Sequence, residues 1–227
     1  MKMKNLLFIL FWVALIIFNK ANAQTNFSES FNSGFSSQLK WLDEDPSAWN
    51  VSVGRLNMKR YVGCGFFCNQ RVPVLYYPNV PLIEGTSATV KVGFDVNREF
   101  GQAGLILWYN NDTYVKFIIE YWYANGLRMI FLQEIDAVKQ NGNVISGSDN
   151  QVYDRIEVEI KVAVENGKLR SWYRRIGDAN WTEECISQPL PNRGNINIGV
   201  FSQADAGSSD WAWFDDLSIS LNPQDNL

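Results

Sequence analysis

The sequence predicts an all-β fold, built as antiparallel sheets, and three observations carry that expectation. Two long stretches alternate apolar and polar residues at period two. Ala88, Val90, Val92, Phe94 and Val96 alternate with Thr89, Lys91, Gly93 and Asp95, and Ile156, Val158, Ile160, Val162 and Val164 with Glu157, Glu159, Lys161 and Ala163. Such alternation buries one face and wets the other, as in an antiparallel strand. Between the β-rich runs stand Ala124-Asn125-Gly126, Glu165-Asn166-Gly167 and Ile176-Gly177-Asp178, residues that tolerate positive φ and so mark turns. No stretch shows the 3.6-residue periodicity of an amphipathic helix. Many strands separated by frequent turns indicate a sandwich or barrel.

In chain order, the first segment is a targeting signal. Met1 to Lys4 is basic, Leu6 to Phe18 is an unbroken apolar run, and Ala21-Asn22-Ala23 ends in small residues. That order predicts a secretory signal peptide over residues 1–23, cleaved before Gln24. The apolar run is shorter than the roughly 20 residues a membrane-spanning helix needs. Residues 24–227 then form a single β-sandwich domain, with no linker or repeat to divide it, and the expected location is secreted or periplasmic. Strands are expected over residues 102–109 and 113–123, joined by Asn110-Asn111-Asp112 as a hairpin. Further strands are expected over 127–134, 168–175, 196–202 and 211–221.

The composition bounds the function. The 227 residues are 46% hydrophobic, 14% aromatic and 19% charged, too apolar for a disordered chain. Net charge is −4 over the whole sequence. Without residues 1–23, which hold three lysines and no acid, 17 bases face 24 acids, or −7. A surface of that sign repels a phosphate backbone, so no nucleic-acid partner is expected, and no membrane contact after signal cleavage. There is no histidine. That removes Ser-His-Asp and Cys-His chemistry, histidine metal ligands and the commonest general base near neutral pH. Cys64 and Cys68 bracket Gly-Phe-Phe and suit a small disulfide loop in an oxidising compartment, with Cys185 left as a buried thiol. A metal site of Cys-x3-Cys type is the alternative, but no histidine or fourth cysteine completes it.

An ordered set of motifs runs along the chain. It begins with Phe27-Ser-Glu-Ser-Phe31, the stretch from Trp49 to Leu56, and Val74-Leu75-Tyr76-Tyr77-Pro78. It continues through Gln102-Ala103-Gly104-Leu105, Asn111-Asp112-Thr113-Tyr114-Val115-Lys116 and Glu120-Tyr121. It closes with Asn180-Trp181-Thr182, Ile198-Gly-Val-Phe201 and Phe214-Asp-Asp-Leu217. That order resembles the concanavalin A-like lectin/glucanase superfamily. It is most similar to the DUF1349-type domain, which is related to the accessory β-sandwich of some β-xylosidases. The resemblance implies a jelly-roll sandwich of two antiparallel sheets whose concave sheet often meets carbohydrate.

Three groups of residues are candidates for chemistry. Along 113–123, Tyr114, Lys116, Ile118, Glu120 and Trp122 share one side of the strand, and Val115, Phe117, Ile119, Tyr121 and Tyr123 the other. The second set is a core face. The first mixes aromatics with an acid and a base, a combination costly to bury, so that side is expected to be wet. Gln102 and Trp108 of the partner strand lie toward it, with Gly104 leaving room for a ligand. Aromatic rings stack on apolar surfaces and charged groups bond hydroxyls. Gln102, Trp108, Tyr114, Lys116, Glu120 and Trp122 are therefore the candidate carbohydrate site.

The second group is Glu134-Ile-Asp136-Ala-Val-Lys139, which resembles the catalytic strand of laminarinase-type glycoside hydrolases. Where that motif places its last acid, this chain has Val138 and Lys139. A retaining glycosidase needs two carboxyls about 5–5.5 Å apart, so a non-catalytic module is the leading expectation. A glycoside-active enzyme using Glu120 and Glu134 is the alternative, and a surface protein with no small ligand is a second. The third group is Glu29 with Asp215 and Asp216, which could hold a structural Ca2+ where first and last strands pair, although calcium takes six to eight oxygens. No other cofactor is expected.

Overall fold

A computed structural model describes residues 26–62, 72–95, 101–122, 126–140, 144–146, 155–186, 194–204 and 210–221. Those residues contain strands and turns and no helix. One sheet has eight strands: β1 (Phe27–Glu29), β3 (Trp49–Ser52), β4 (Arg55–Lys59), β7 (Ser87–Asp95), β13 (Arg155–Glu165), β14 (Lys168–Arg175), β15 (Thr182–Ile186) and β17 (Trp211–Ser220). Its order is β15-β14-β13-β7-β17-β4-β3, with β1 paired to β17. The other has nine: β2 (Lys40–Leu42), β5 (Tyr61–Val62), β6 (Val74–Pro81), β8 (Gln102–Asn110), β9 (Thr113–Trp122), β10 (Gly126–Ile135), β11 (Val138–Lys139), β12 (Val144–Ser146) and β16 (Asn195–Ala204). Its order is β11-β10-β9-β8-β16-β6-β2, with β12 on β10 and β5 on β16. The pairings are antiparallel except β5 with β16.

Alternation decides which residues fill the space between the sheets. Val90, Val92 and Phe94 of β7 and Val158, Ile160 and Val162 of β13 turn inward from one side. Leu105 and Leu107 of β8, Val115, Phe117, Ile119 and Tyr121 of β9 and Ile198 and Val200 of β16 meet them from the other. Two aligned inner faces interdigitating in this way make a β-sandwich. Cys185 of β15 is a buried thiol in the same core, and burial raises its pKa to about 11, which leaves it inert as a nucleophile near neutral pH.

The turns follow the expected chemistry. Between β13 and β14, Asn166 and Gly167 both adopt positive φ, 55° and 67°, the requirement of a two-residue type I′ hairpin. Glu84 caps this turn by accepting the Asn166 and Gly167 amides at 2.7 and 2.9 Å. Those bonds hold its carboxyl below the usual range. Between β10 and β11, Asp136 and Ala137 also have positive φ, 52° and 62°. The predicted strand end at Glu134 is therefore followed by a tight hairpin before the polar segment begins.

The signal segment, Cys64, Cys68, Val96 and Tyr123 lie outside the described residues. Glu29, Asp215 and Asp216 are engaged by the protein. Glu29 accepts the amides of Phe31 and Ser36 at 2.9 and 2.6 Å. Asp215 accepts the Asp216 amide at 2.8 Å, and Asp216 pairs with Lys91. Among the described residues no three His, Cys, Asp or Glu side chains assemble as a metal set.

Candidate functional site

The hairpin of β8 and β9 sets the face of the nine-stranded sheet that points away from the sandwich interior. Its register aligns Gln102 with Glu120, Gly104 with Ile118, Ile106 with Lys116 and Trp108 with Tyr114. β10 extends these rows on one side by Arg128, Ile130, Leu132 and Glu134. β16 extends them on the other by Gln203, Phe201, Gly199 and Asn197. The result is four rows across four strands. The first, Arg128–Glu120–Gln102–Gln203, is entirely polar. The second, Ile130–Ile118–Gly104–Phe201, is apolar. The third holds Lys116, and the fourth is Glu134–Tyr114–Trp108–Asn197. Tyr76 of β6 adds a ring whose centroid lies 5.9 Å from that of Trp108.

The sidedness expected for β9 is correct, with Tyr114, Lys116 and Glu120 opposite the core set. The expectation that this side is wet is not. Tyr114 and Lys116 are 1% exposed and Glu120 2%. The polar groups avoid the desolvation cost by bonding one another. Lys116 Nζ donates to Gln102 Oε1 at 3.1 Å, and Gln203 Nε2 donates to the same oxygen at 2.8 Å. Gln102 Nε2 donates to one Glu120 oxygen, and Arg128 Nη2 pairs with the other. The apolar rows complete the cover: Ile106, Ile118, Ile130, Leu132 and Phe201 form a second buried cluster with Val72, Val74 and Tyr114. Trp108 and Gln102 keep partial exposure. The side chain of Trp122 lies outside the described residues.

Gly104 also has a different reason from the one the sequence suggests. A Cβ there would meet Phe117 O at 2.4 Å and Ile118 Cα at 2.7 Å. The glycine admits the backbone of β9, not a ligand.

Among the described residues, the buried Trp108 Nε1, a donor, and Gln203 Oε1, an acceptor, find no hydrogen-bond partner. Sequence reasoning missed Arg128 and Gln203. The alternation Arg128, Ile130, Leu132, Glu134 in β10 holds the signal for the first. Gln203 lies 101 residues from Gln102, and only the pairing of β16 with β8 brings them together.

Glu120 and Glu134 do not form a glycosidase pair. Glu134 is aligned with Tyr114, six residues from Glu120 on the same strand, or about 20 Å at 3.3 Å per residue. Retaining and inverting enzymes hold their two carboxyls about 5–5.5 and about 6.5–9.5 Å apart. Asp136 stands in the following turn and is exposed.

Burial lowers the Lys116 pKa from 10.5 to about 7, against the pull of Glu120 and Glu134. Burial, with help from Glu134, raises the Tyr114 phenol well above its ordinary value. The lysine shift has a stability consequence. Between about pH 7 and about pH 10 the unfolded chain holds a proton on this amine that the folded chain lacks. The residue's contribution therefore makes stability rise with pH across that window. Chemical denaturation should show wild type gaining stability relative to Lys116→Met between pH 7 and pH 10. Parallel curves for the two proteins would contradict the assignment.

Two face-to-face antiparallel sheets, with a polar-and-aromatic row system on the outward side of one, define a concanavalin A-like β-sandwich. The chain belongs to the family of beta xylosidase C-terminal concanavalin A-like domains, whose model matches residues 84–220. Among solved structures it is similar to the xylan beta-1,4-xylosidase of Bacillus halodurans C-125, with TM-score 0.65, 13% identity, and coverage of 85% of this chain and 38% of that one. The GH43 protein BlXynB of Bacillus licheniformis gives 0.67, 15%, 85% and 39%. A functionally unknown protein of Saccharomyces cerevisiae gives 0.61, 17%, 81% and 96%. The chain thus spans under two fifths of the two bacterial proteins, and at these identities the likeness is one of fold. No curated protein sequence matches the chain.

Proposed function

We propose that the chain is an exported, non-catalytic module that binds carbohydrate on the outward face of β8, β9, β10 and β16. The observation that carries the reading is the part-exposed ring pair of Trp108 and Tyr76, whose centroids lie 5.9 Å apart on that face. These rings supply aromatic surface for stacking on a sugar. Gln102, the other part-exposed side chain of β8 on that face, stands six residues from Trp108, about 20 Å along the strand. An oligosaccharide fits that span and a single sugar does not. The beta xylosidase family and the solved structure named a xylan beta-1,4-xylosidase direct the choice of ligand to β-linked xylose oligomers. The basic, apolar and small-residue order of residues 1–23 supports export, where a Cys64–Cys68 disulfide would persist.

Titration calorimetry of residues 24–227 with xylotetraose tests the proposal. Trp108→Ala should weaken binding by about 1–3 kcal/mol, the cost of truncating a contact anchor. Saturable binding that drops in the variant supports the site. Absence of binding to xylotetraose and to a panel of neutral glycans, or binding indifferent to Trp108→Ala, overturns it.

A further inference from the structure

The opposite face of the molecule carries a groove that the preceding reading does not use. It lies on the outward side of the eight-stranded sheet, encloses about 270 Å3, and is lined by Thr89, Glu159, Lys161, Arg174, Trp181 and Ser218 among others. Strand register builds it. Trp172, Lys161, Thr89 and Ser218 stand side by side on β14, β13, β7 and β17. That row crosses three interstrand spacings, about 14 Å. All four are half-buried.

The charges of the groove do not cancel. Glu159 is consumed by Arg174, whose Nε and Nη2 reach its Oε2 at 2.8 and 2.6 Å. The Arg174 guanidinium also sits over the Trp181 ring, 4.3 Å from its centroid. Neighbouring Lys91 is paired with Asp216. Lys161 has only the Trp172 ring, at 4.9 Å, and no carboxylate partner among the described residues. Among the described residues, one uncompensated ammonium therefore remains in a groove whose other walls are hydroxyls, an indole and the mutually paired Arg174 and Glu159. This is a positive site on a chain of net charge −4.

We propose that this groove binds an acidic oligosaccharide, with Lys161 holding the uronate carboxylate. Thr89 and Ser218 bond the ring hydroxyls, because each hydroxyl side chain both donates and accepts. Trp181 offers apolar surface to a sugar ring. The lysine–carboxylate contact is charge-assisted, so it carries the selectivity for acidic over neutral sugars. It is also partly exposed, so added salt should weaken it.

The test uses residues 24–227 with trigalacturonate, its methyl ester and glucuronosyl-xylotriose. At least one of the two acids is expected to bind saturably, and trigalacturonate at least tenfold more tightly than its ester. Lys161→Gln should weaken the acid at least tenfold, Lys161→Arg should retain it, and Lys40→Gln, an exposed lysine on the other sheet, should leave it unchanged. Amide shift mapping on wild type should place the perturbations at Thr89, Lys161 and Ser218, and this holds even if a variant fails to fold. The proposal is overturned if neither acid saturates, if the ester equals the acid, or if the shifts fall on β8 and β9. The last result would move acid binding to the other site and leave the reading of that site intact.

Discussion

Arg128→Ala is expected to destabilise the domain by about 3–5 kcal/mol, the range for stripping one partner from a buried ion pair. Glu120 has 3% of its side chain exposed and Arg128 14%. Without the guanidinium, the carboxylate keeps only Gln102 Nε2 as a described donor, in a place where water reaches it poorly. The same substitution at an exposed pair, such as Arg55 with Glu157 at 3.9 Å, should cost no more than about 1 kcal/mol. Denaturant titration of both variants at pH 7 separates the two cases. Equal losses would mean that the first polar row is hydrated in solution. Lys116→Met is a useful third variant. It removes a buried amine of the same face but leaves Glu120 its partners, so it should cost little or even stabilise near neutral pH. A stable variant that has lost glycan affinity would place Lys116 among residues kept for binding.

Gly104→Ala should be the most damaging single methyl that can be added to this face. The new Cβ would lie 2.4 Å from the Phe117 carbonyl oxygen and 2.7 Å from Ile118 Cα. Both atoms are backbone of β9, so no side-chain rotation relieves the clash. β8 and β9 must separate, and ladder hydrogen bonds go with them. The expected loss exceeds the roughly 1–3 kcal/mol typical of overpacking, and the variant should melt well below wild type or fail to accumulate. Gly199→Ala offers an internal comparison, because its Cβ would meet Leu75 O at 2.5 Å on the other flank of the same sheet. If Gly104→Ala melts with wild type, the close approach of the two strands is not a feature of the folded protein.

What could be read from the sequence depended on length and locality. β14 spans the expected residues 168–175 because Asn166-Gly167 and Gly177 punctuate it on both sides. β8 and β9 were legible as a hairpin because the polar Asn110-Asn111-Asp112 stands between two long β-rich runs. The short elements β1, β2, β11 and β15 have too few residues to display a period, so nothing in their own composition separates them from loop. The sidedness of Tyr114, Lys116 and Glu120 followed from alternation alone. Their burial did not, because the groups that satisfy them come from other strands. Arg128 comes from β10 and Gln203 from β16, and pairing between distant segments is a property of topology. Sequence chemistry correctly priced the burial of a charged mixture, but could not see that the mixture was complete.

The placement of the last two strands has a kinetic consequence. β16 sits between β8 and β6, and β17 between β7 and β4 with β1 against it. Each is an inner strand, so before residues 195–220 emerge from the ribosome both sheets are split down the middle. The earlier strands must wait with apolar edges open, and neither half can close by local hairpins alone. Topologies dominated by such distant pairings fold in milliseconds to seconds, and the waiting chain is the species most prone to aggregate. Truncation within β17 would therefore be felt first as a failure to reach the native state at all, well before any change at the outward face of β8 and β9 could be measured.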